Sequence, residues 1–112
     1  MTIEREESAM PNYVLVYRGG AMADTPEGHQ KAMEAWGAWF GTLGESVVDG
    51  GAPFGPSASI ASDGASTDGG ASALTGYSII TAGNIGEAQT KAKGCPVLSS
   101  GGSVEIYESL PM

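Results

Sequence analysis

The chain has 112 residues, 18 of them Gly and 6 Pro, with 41% hydrophobic residues and a mean hydropathy of -0.05. That length suits one turn-rich domain with its own core and a second domain is not expected, while the composition excludes wholesale disorder and an apolar run of the roughly 18 residues that span a bilayer. Thirteen acidic against five basic residues give a formal charge of -8, which repels nucleic acid and anionic membrane surfaces.

Residues 1–10 are charged and aperiodic, and read as a mobile tail or upstream extension ahead of one domain over residues 11–112. The polar start Met1-Thr2-Ile3-Glu4-Arg5-Glu6-Glu7 lacks the apolar segment of a signal peptide, and the single Cys95 has no internal disulfide partner. A cytoplasmic location is expected. Tyr13-Val14-Leu15-Val16-Tyr17, between Pro11-Asn12 and Gly19-Gly20, predicts a buried first strand.

Thr25-Pro26-Glu27 predicts a helix start, with Thr25 capping free amides, Pro26 at the first helical position and Glu27 at the positive end of the dipole. The helix is expected to run to Leu43 and stop at Gly44. Its periodicity puts Ala32, Met33, Trp36, Trp39, Phe40 and Leu43 on one face, opposite Lys31, Glu34, Ala38 and Thr42. So broad an aromatic stripe needs a sheet to cover it.

Residues 46–49 predict a second strand, leading into a Gly- and Pro-rich loop over residues 50–56. A weaker strand over residues 58–62 and a firm one over residues 75–81 are expected to form a hairpin. Its loop, residues 63–73, is marked by Asp63-Gly64 and Asp68-Gly69-Gly70. Asn84 followed by Glu87 resembles a capping box for a second helix, whose inner face is Ile85, Ala88 and Ala92 and whose end is set by Gly94 and Pro96. Alternation over residues 103–108 predicts the last strand. The order β-α-β-β-α-β is the ferredoxin-like α+β arrangement, an antiparallel sheet with two helices on one face. Tyr13, Leu15 and Tyr17 would lie on one side of the first strand and Val14 and Val16 on the other. Both faces are therefore apolar, and a homodimer through the sheet is expected.

The order and spacing of these pieces resemble the YCII-related family in its DGPF-type branch. The resemblance is carried by residues 13–17, Trp36-Gly37-Ala38-Trp39-Phe40 through Val48-Asp49-Gly50-Gly51, Asp63-Gly64 with Asp68-Gly69-Gly70, residues 76–80 and residues 101–106, so it covers about residues 11–108. It implies a ferredoxin-like subunit of a dimeric α/β barrel with a pocket near sheet and helices. Some relatives look like enzymes on small aromatic or chlorinated compounds that use a His and an Asp. Two positions depart from that pattern. His29 stands near the helix start rather than ahead of a Gly-Pro loop, and Asp68-Gly69-Gly70 replaces the Asp-Gly-Pro that names the branch.

His29 is the one histidine, and helical arithmetic aims it the same way as Trp36 and Phe40. With Asp49 at the end of the second strand it forms a candidate catalytic acid–base pair for proton abstraction or elimination. The alternative is a first-turn histidine bonded locally and an aspartate that closes an Asx-turn. Tyr17, Trp36, Trp39, Phe54 and Tyr77 are candidates to line a site for a small apolar or aromatic ligand, although an aromatic stripe at helical spacing is more often core. Cys95 at a helix C-terminus reads as structural. No phosphate loop, dinucleotide fingerprint, Gly-x-Ser-x-Gly elbow or calcium loop occurs, so no cofactor and no metal are expected. Two functions remain open: a small-molecule enzyme using His29 and Asp49, or a non-catalytic dimeric module for ligand or protein binding.

Overall fold

The computed structural model describes residues 10–20, 25–68 and 74–111. The first strand, β1 (Asn12–Arg18), is followed by helix α1 (Pro26–Leu43), a 3-10 turn (Gly44–Ser46) and β2 (Val47–Pro53). After a short ribbon of β3 (Ala58–Ile60) and β4 (Ser66–Asp68) come β5 (Leu74–Thr81), α2 (Ile85–Ala92), α3 (Pro96–Ser99) and β6 (Ser103–Ser109). Strands β2, β5, β1 and β6 lie side by side in that order as one antiparallel sheet. This mixed α+β layout is compatible with a ferredoxin-like fold. The expected N-terminal tail and the Gly69-Gly70 turn fall outside the described residues.

Local chemistry sets the element ends. Thr25 is extended, and its hydroxyl accepts the Gly28 N–H at 3.0 Å; Pro26 occupies the first helical position. Gly44 ends α1 with φ 56°, a conformation that favours glycine, and donates its N–H to the Phe40 carbonyl. At α2 the Asn84 side chain accepts the Glu87 N–H at 2.8 Å. The reciprocal bond of a capping box goes one residue further back than usual, because the Glu87 carboxylate accepts the Gly83 N–H.

Leu15 on β1 sits opposite Ser78 of β5 on one side and Ile106 of β6 on the other; Tyr13 sits opposite Ile80, and Tyr17 opposite Gly76 and Val104. These rows make the inner face of the sheet. Tyr13, Leu15, Tyr17 and Ile80 are buried with Trp39 from α1, Ala88 and Ala92 from α2, and Cys95 and Val97 around α3. Trp36, Phe40 and Leu43 pack around this core half-buried. Small Ala88 and Ala92 let α2 approach the sheet, while the aromatics of α1 fill the wider gap.

Three expectations need correction. The second strand runs on to Pro53, so residues 50–53, expected as loop, are strand paired irregularly with β5. Residues 58–60 pair with residues 66–68 rather than with β5, whose two edges are already taken by β1 and β2. The stretch expected as loop thus holds a strand, and two separate sheets replace one long hairpin. The second helix ends at Ala92, ahead of Gly94 and Pro96 as expected, and Pro96 then opens a further turn, α3, as its fixed φ at a first helical position permits. Met33 is 63% exposed rather than inward. In the first half of α1 the half-buried positions are Gly28 and Ala32, about 100° around the helix from His29 and Met33.

Candidate functional site

The inner face holds a buried polar chain among aromatic rings. The Tyr17 hydroxyl donates to Ser78 Oγ at 2.7 Å, and Ser78 donates to the Gly50 carbonyl at 2.7 Å. Ser78 is fully buried, and these two bonds satisfy it. Trp36 meets Tyr17 edge-on at 5.1 Å between ring centroids, and Trp39 lies 5.8 Å from Trp36 and 5.1 Å from Phe40. Trp39 Nε1 donates to the Lys91 carbonyl at 3.0 Å, tying α1 to the end of α2. Lys91 reaches further, donating from Nζ to Ser46 Oγ at 2.8 Å and to the Thr81 carbonyl at 3.1 Å. Burial pushes the Cys95 thiol up to about 11 and raises the Tyr17 phenol as well, so both stay protonated at neutral pH.

The outer face carries a second cluster, built by irregular pairing of β2. Register shifts on both sides of Asp49 bulge this strand against β5. Gly51 has φ 80°, and a Cβ there would fall inside the Tyr77 carbonyl group, so the bulge requires glycine. Asp49 closes the bulge: Oδ1 accepts the Gly51 N–H at 2.8 Å, and Oδ2 accepts the Tyr77 hydroxyl at 3.0 Å. That hydrogen bond, with the carboxylate charge behind it, raises the Tyr77 phenol. Phe54 stacks on Tyr77, with 6.0 Å between centroids and 21° between planes.

Beside this cluster runs a half-buried apolar stripe. Val16 sits opposite Tyr77 of β5 and Glu105 of β6, and Val14 sits opposite Ile79 and Tyr107. Arg18 Nε donates to Glu105 at 2.6 Å, and the Tyr107 hydroxyl donates to the other oxygen of Glu105 at 2.8 Å. The Tyr107 bond first and the Arg18 guanidinium second hold Glu105 below the usual carboxylate range, against a desolvation effect that raises it.

The sequence candidates therefore separate. Tyr17, Trp36 and Trp39 lie between sheet and helices, whereas Asp49, Phe54 and Tyr77 lie with the opposite face, so the five ligand candidates do not line one cavity. His29 is exposed rather than aimed at the sheet, for the same reason as Met33. Its backbone N–H bonds the Thr25 carbonyl at 2.9 Å, and among the described residues no hydrogen bond or ion pair joins it to Asp49. Trp39 alone of the candidates reaches the open groove of about 540 Å³ between α1 and the α2–α3 corner, where Ala35, Ala38, Thr42 and Leu98 also line the wall.

Sequence reasoning missed Ser78 and Lys91. Ser78 stands in the alternation of β5 at an inward position, which was a legible signal; Lys91 had none, since its partners come from two distant strand ends. Among the described residues no three His, Cys, Asp or Glu side chains gather into a metal-binding group, and no helix is long and apolar enough to cross a membrane. Comparison with protein-family models, with curated proteins and with solved structures finds no match to this chain.

Proposed function

We propose that the chain is a YCII-like subunit of a cytoplasmic homodimer, a non-catalytic module that pairs its open sheet face with a second copy and holds a small apolar or aromatic ligand at the Phe54–Tyr77 pair. The observation that carries this reading is the unequal covering of two apolar sheet faces. The inner face has helices over it, while the outer face presents Val14, Val16, Tyr77 and Ile79 half-buried, with Tyr107 56% exposed and Phe54 45% exposed. An antiparallel sheet of globular type leaves one face to water when that face is polar, and the middle of this one is the apolar row Val14, Val16, Tyr77 and Ile79, flanked by the polar groups of Asp49, Arg18 and Glu105. Pairing two such faces would form the barrel that the family resemblance implies.

An acid–base reaction through His29 and Asp49 gains less from the geometry. His29 stands exposed at the first turns of α1, and both Asp49 oxygens are engaged, one by the β2 bulge and one by Tyr77. That arrangement makes Asp49 a holder of Tyr77 at the ligand site.

Sedimentation equilibrium at micromolar concentration tests the reading. The expected species has twice the 11.3 kDa of one chain, and Val16→Glu reduces it to a folded monomer with unchanged circular dichroism. A wild-type chain that sediments at the 11.3 kDa of one copy across that range overturns the dimer. Phenol, titrated against labelled protein, is expected to move the Phe54 and Tyr77 resonances first; shifts confined to Trp39 would place the ligand in the α1 groove instead.

A further inference from the structure

Around Asp49, Phe54 and Tyr77 the hydrogen-bond donors are used up and acceptors are left over. The Tyr77 hydroxyl donates to Asp49 Oδ2, the Gly51 N–H to Asp49 Oδ1 and the Phe54 N–H to the Thr75 carbonyl at 2.9 Å, while Pro53 has no N–H to give. Asp49 also raises the Tyr77 phenol, so that hydroxyl keeps its proton and stays committed to the carboxylate. An ionised carboxylate has about four acceptor sites, so Asp49 keeps about two of them, and the Tyr77 oxygen keeps its own lone pairs. A ligand here has to bring the donors.

Charge points the same way. Of the two carboxylates on the outer face, Glu105 is compensated by Arg18, whereas among the described residues Asp49 has no cation partner. The chain as a whole carries a formal charge of -8, a field that concentrates small cations and turns anions away. The surface beside Asp49 is aromatic: Phe54 is exposed and stacks on half-buried Tyr77, and ring faces carry the negative quadrupole that attracts a cation within about 6 Å. The cluster also stands clear of the middle of the face. Edge strand β2 supplies Asp49 and leads into Phe54, and the bond to Asp49 draws the Tyr77 hydroxyl towards that edge, so the site opens at the rim rather than over Val14 and Val16.

We infer that this cluster is a site for a small organic ammonium ion with an apolar or aromatic body, the ammonium on Asp49 and the Tyr77 oxygen and the body against Phe54. The inference rests on the ligand reading above and narrows it to a charge and a donor pattern. A carboxylate of the same shape would bring further acceptors to a surface that already lacks donors, and would meet the Asp49 charge besides.

The test titrates the isotope-labelled full chain with 2-phenylethylammonium, with 2-phenylethanol, which keeps the shape and drops the charge, and with phenylacetate. The ammonium is expected to move the Phe54 and Tyr77 resonances first and to bind about tenfold more tightly than the alcohol, with phenylacetate weaker than both. Asp49→Asn keeps an oxygen for the Gly51 N–H and removes the charge, and should bring ammonium and alcohol within about threefold; 1 M salt should narrow the gap in the wild type as well. The ligand comparison on the wild-type chain stands whether or not that variant folds. If phenol moves Phe54 and Tyr77 but the ammonium binds no better than the alcohol, or keeps its advantage in folded Asp49→Asn, the ammonium assignment is wrong and the ligand reading stands. If neither phenol nor the ammonium moves those resonances, the ligand reading fails and the assignment with it.

Discussion

The hydroxyl of Tyr17 on β1 and that of Ser78 on β5 meet at 2.7 Å inside the core, and Ser78 passes the interaction to the Gly50 carbonyl of the bulged strand β2. Three strands are thereby joined by one buried polar chain, laid across the aromatic cluster of α1. Its two ends are unequal. Tyr17→Phe removes a donor and leaves Ser78 bonded to Gly50, a loss of about 1 kcal/mol; Ser78→Ala strands both the Tyr17 hydroxyl and the Gly50 carbonyl, a loss of about 2–3 kcal/mol. Urea unfolding midpoints of the two variants are expected in that order, and equal midpoints would show that the chain does not act through Ser78.

Gly51 should tolerate no side chain. Gly51→Ala combines a positive φ with a Cβ placed inside the Tyr77 carbonyl group, and is expected to cost more than about 2 kcal/mol and to free β5 amides to exchange. Gly50→Ala is the control, since its Cβ would meet no more than Phe40 Cζ at 3.9 Å. Hydrogen exchange read at Tyr77 and Ile79 distinguishes the two.

Cys95 gives the alkaline behaviour a sign. Its thiol, ordinarily near 9.0, is raised by burial to about 11, so the unfolded chain loses that proton first. The stability contributed is fully present below about pH 9 and is lost as pH rises through about 11. Urea midpoints are expected to fall across that window, with Cys95→Ala showing a smaller decline. At neutral pH a thiol reagent should modify the folded chain far more slowly than the urea-unfolded chain.

His29→Ala separates the two functional readings with little structural cost. The side chain is exposed, so stability should change by no more than about 0.5 kcal/mol, and the dimer mass and phenol binding should both persist. Loss of phenol binding in that variant would return His29 to the site.

Glu105 links the outer face to acid. Its lowered carboxyl, held mainly by the Tyr107 hydroxyl and then by Arg18, contributes stability that is present above its ordinary titration near 4.5 and is lost as pH falls through its depressed value in the folded chain. Tyr107→Phe should raise the Glu105 titration followed by carbon-detected magnetic resonance.

Much of the fold was legible because local chemistry wrote it. Thr25-Pro26 and Gly44 bound α1, Asn84 with Glu87 starts α2, and the alternation in residues 13–17 separates the inner tyrosines from the outer valines. The candidate site was less legible. Trp36 and Phe54 are similar apolar aromatics, yet one is half-buried between α1 and the sheet and the other stands at the rim of the outer face, a distinction set by the face each element presents. His29 is exposed because the covered side of α1 runs through Gly28 and Ala32 in its first half, about 100° around the helix from His29.

The sequence by itself determined the caps of the two longer helices, the acidic composition and the apolar character of both faces of β1, since caps, alternation and charge act over a few residues. Only the tertiary structure decided that β5 lies between β1 and β2, that residues 58–60 turn to residues 66–68, and that Asp49 meets Tyr77. Those outcomes depend on competition for strand edges between segments far apart in the chain. No local pattern reports who wins that competition, because each free edge offers the same row of backbone donors and acceptors.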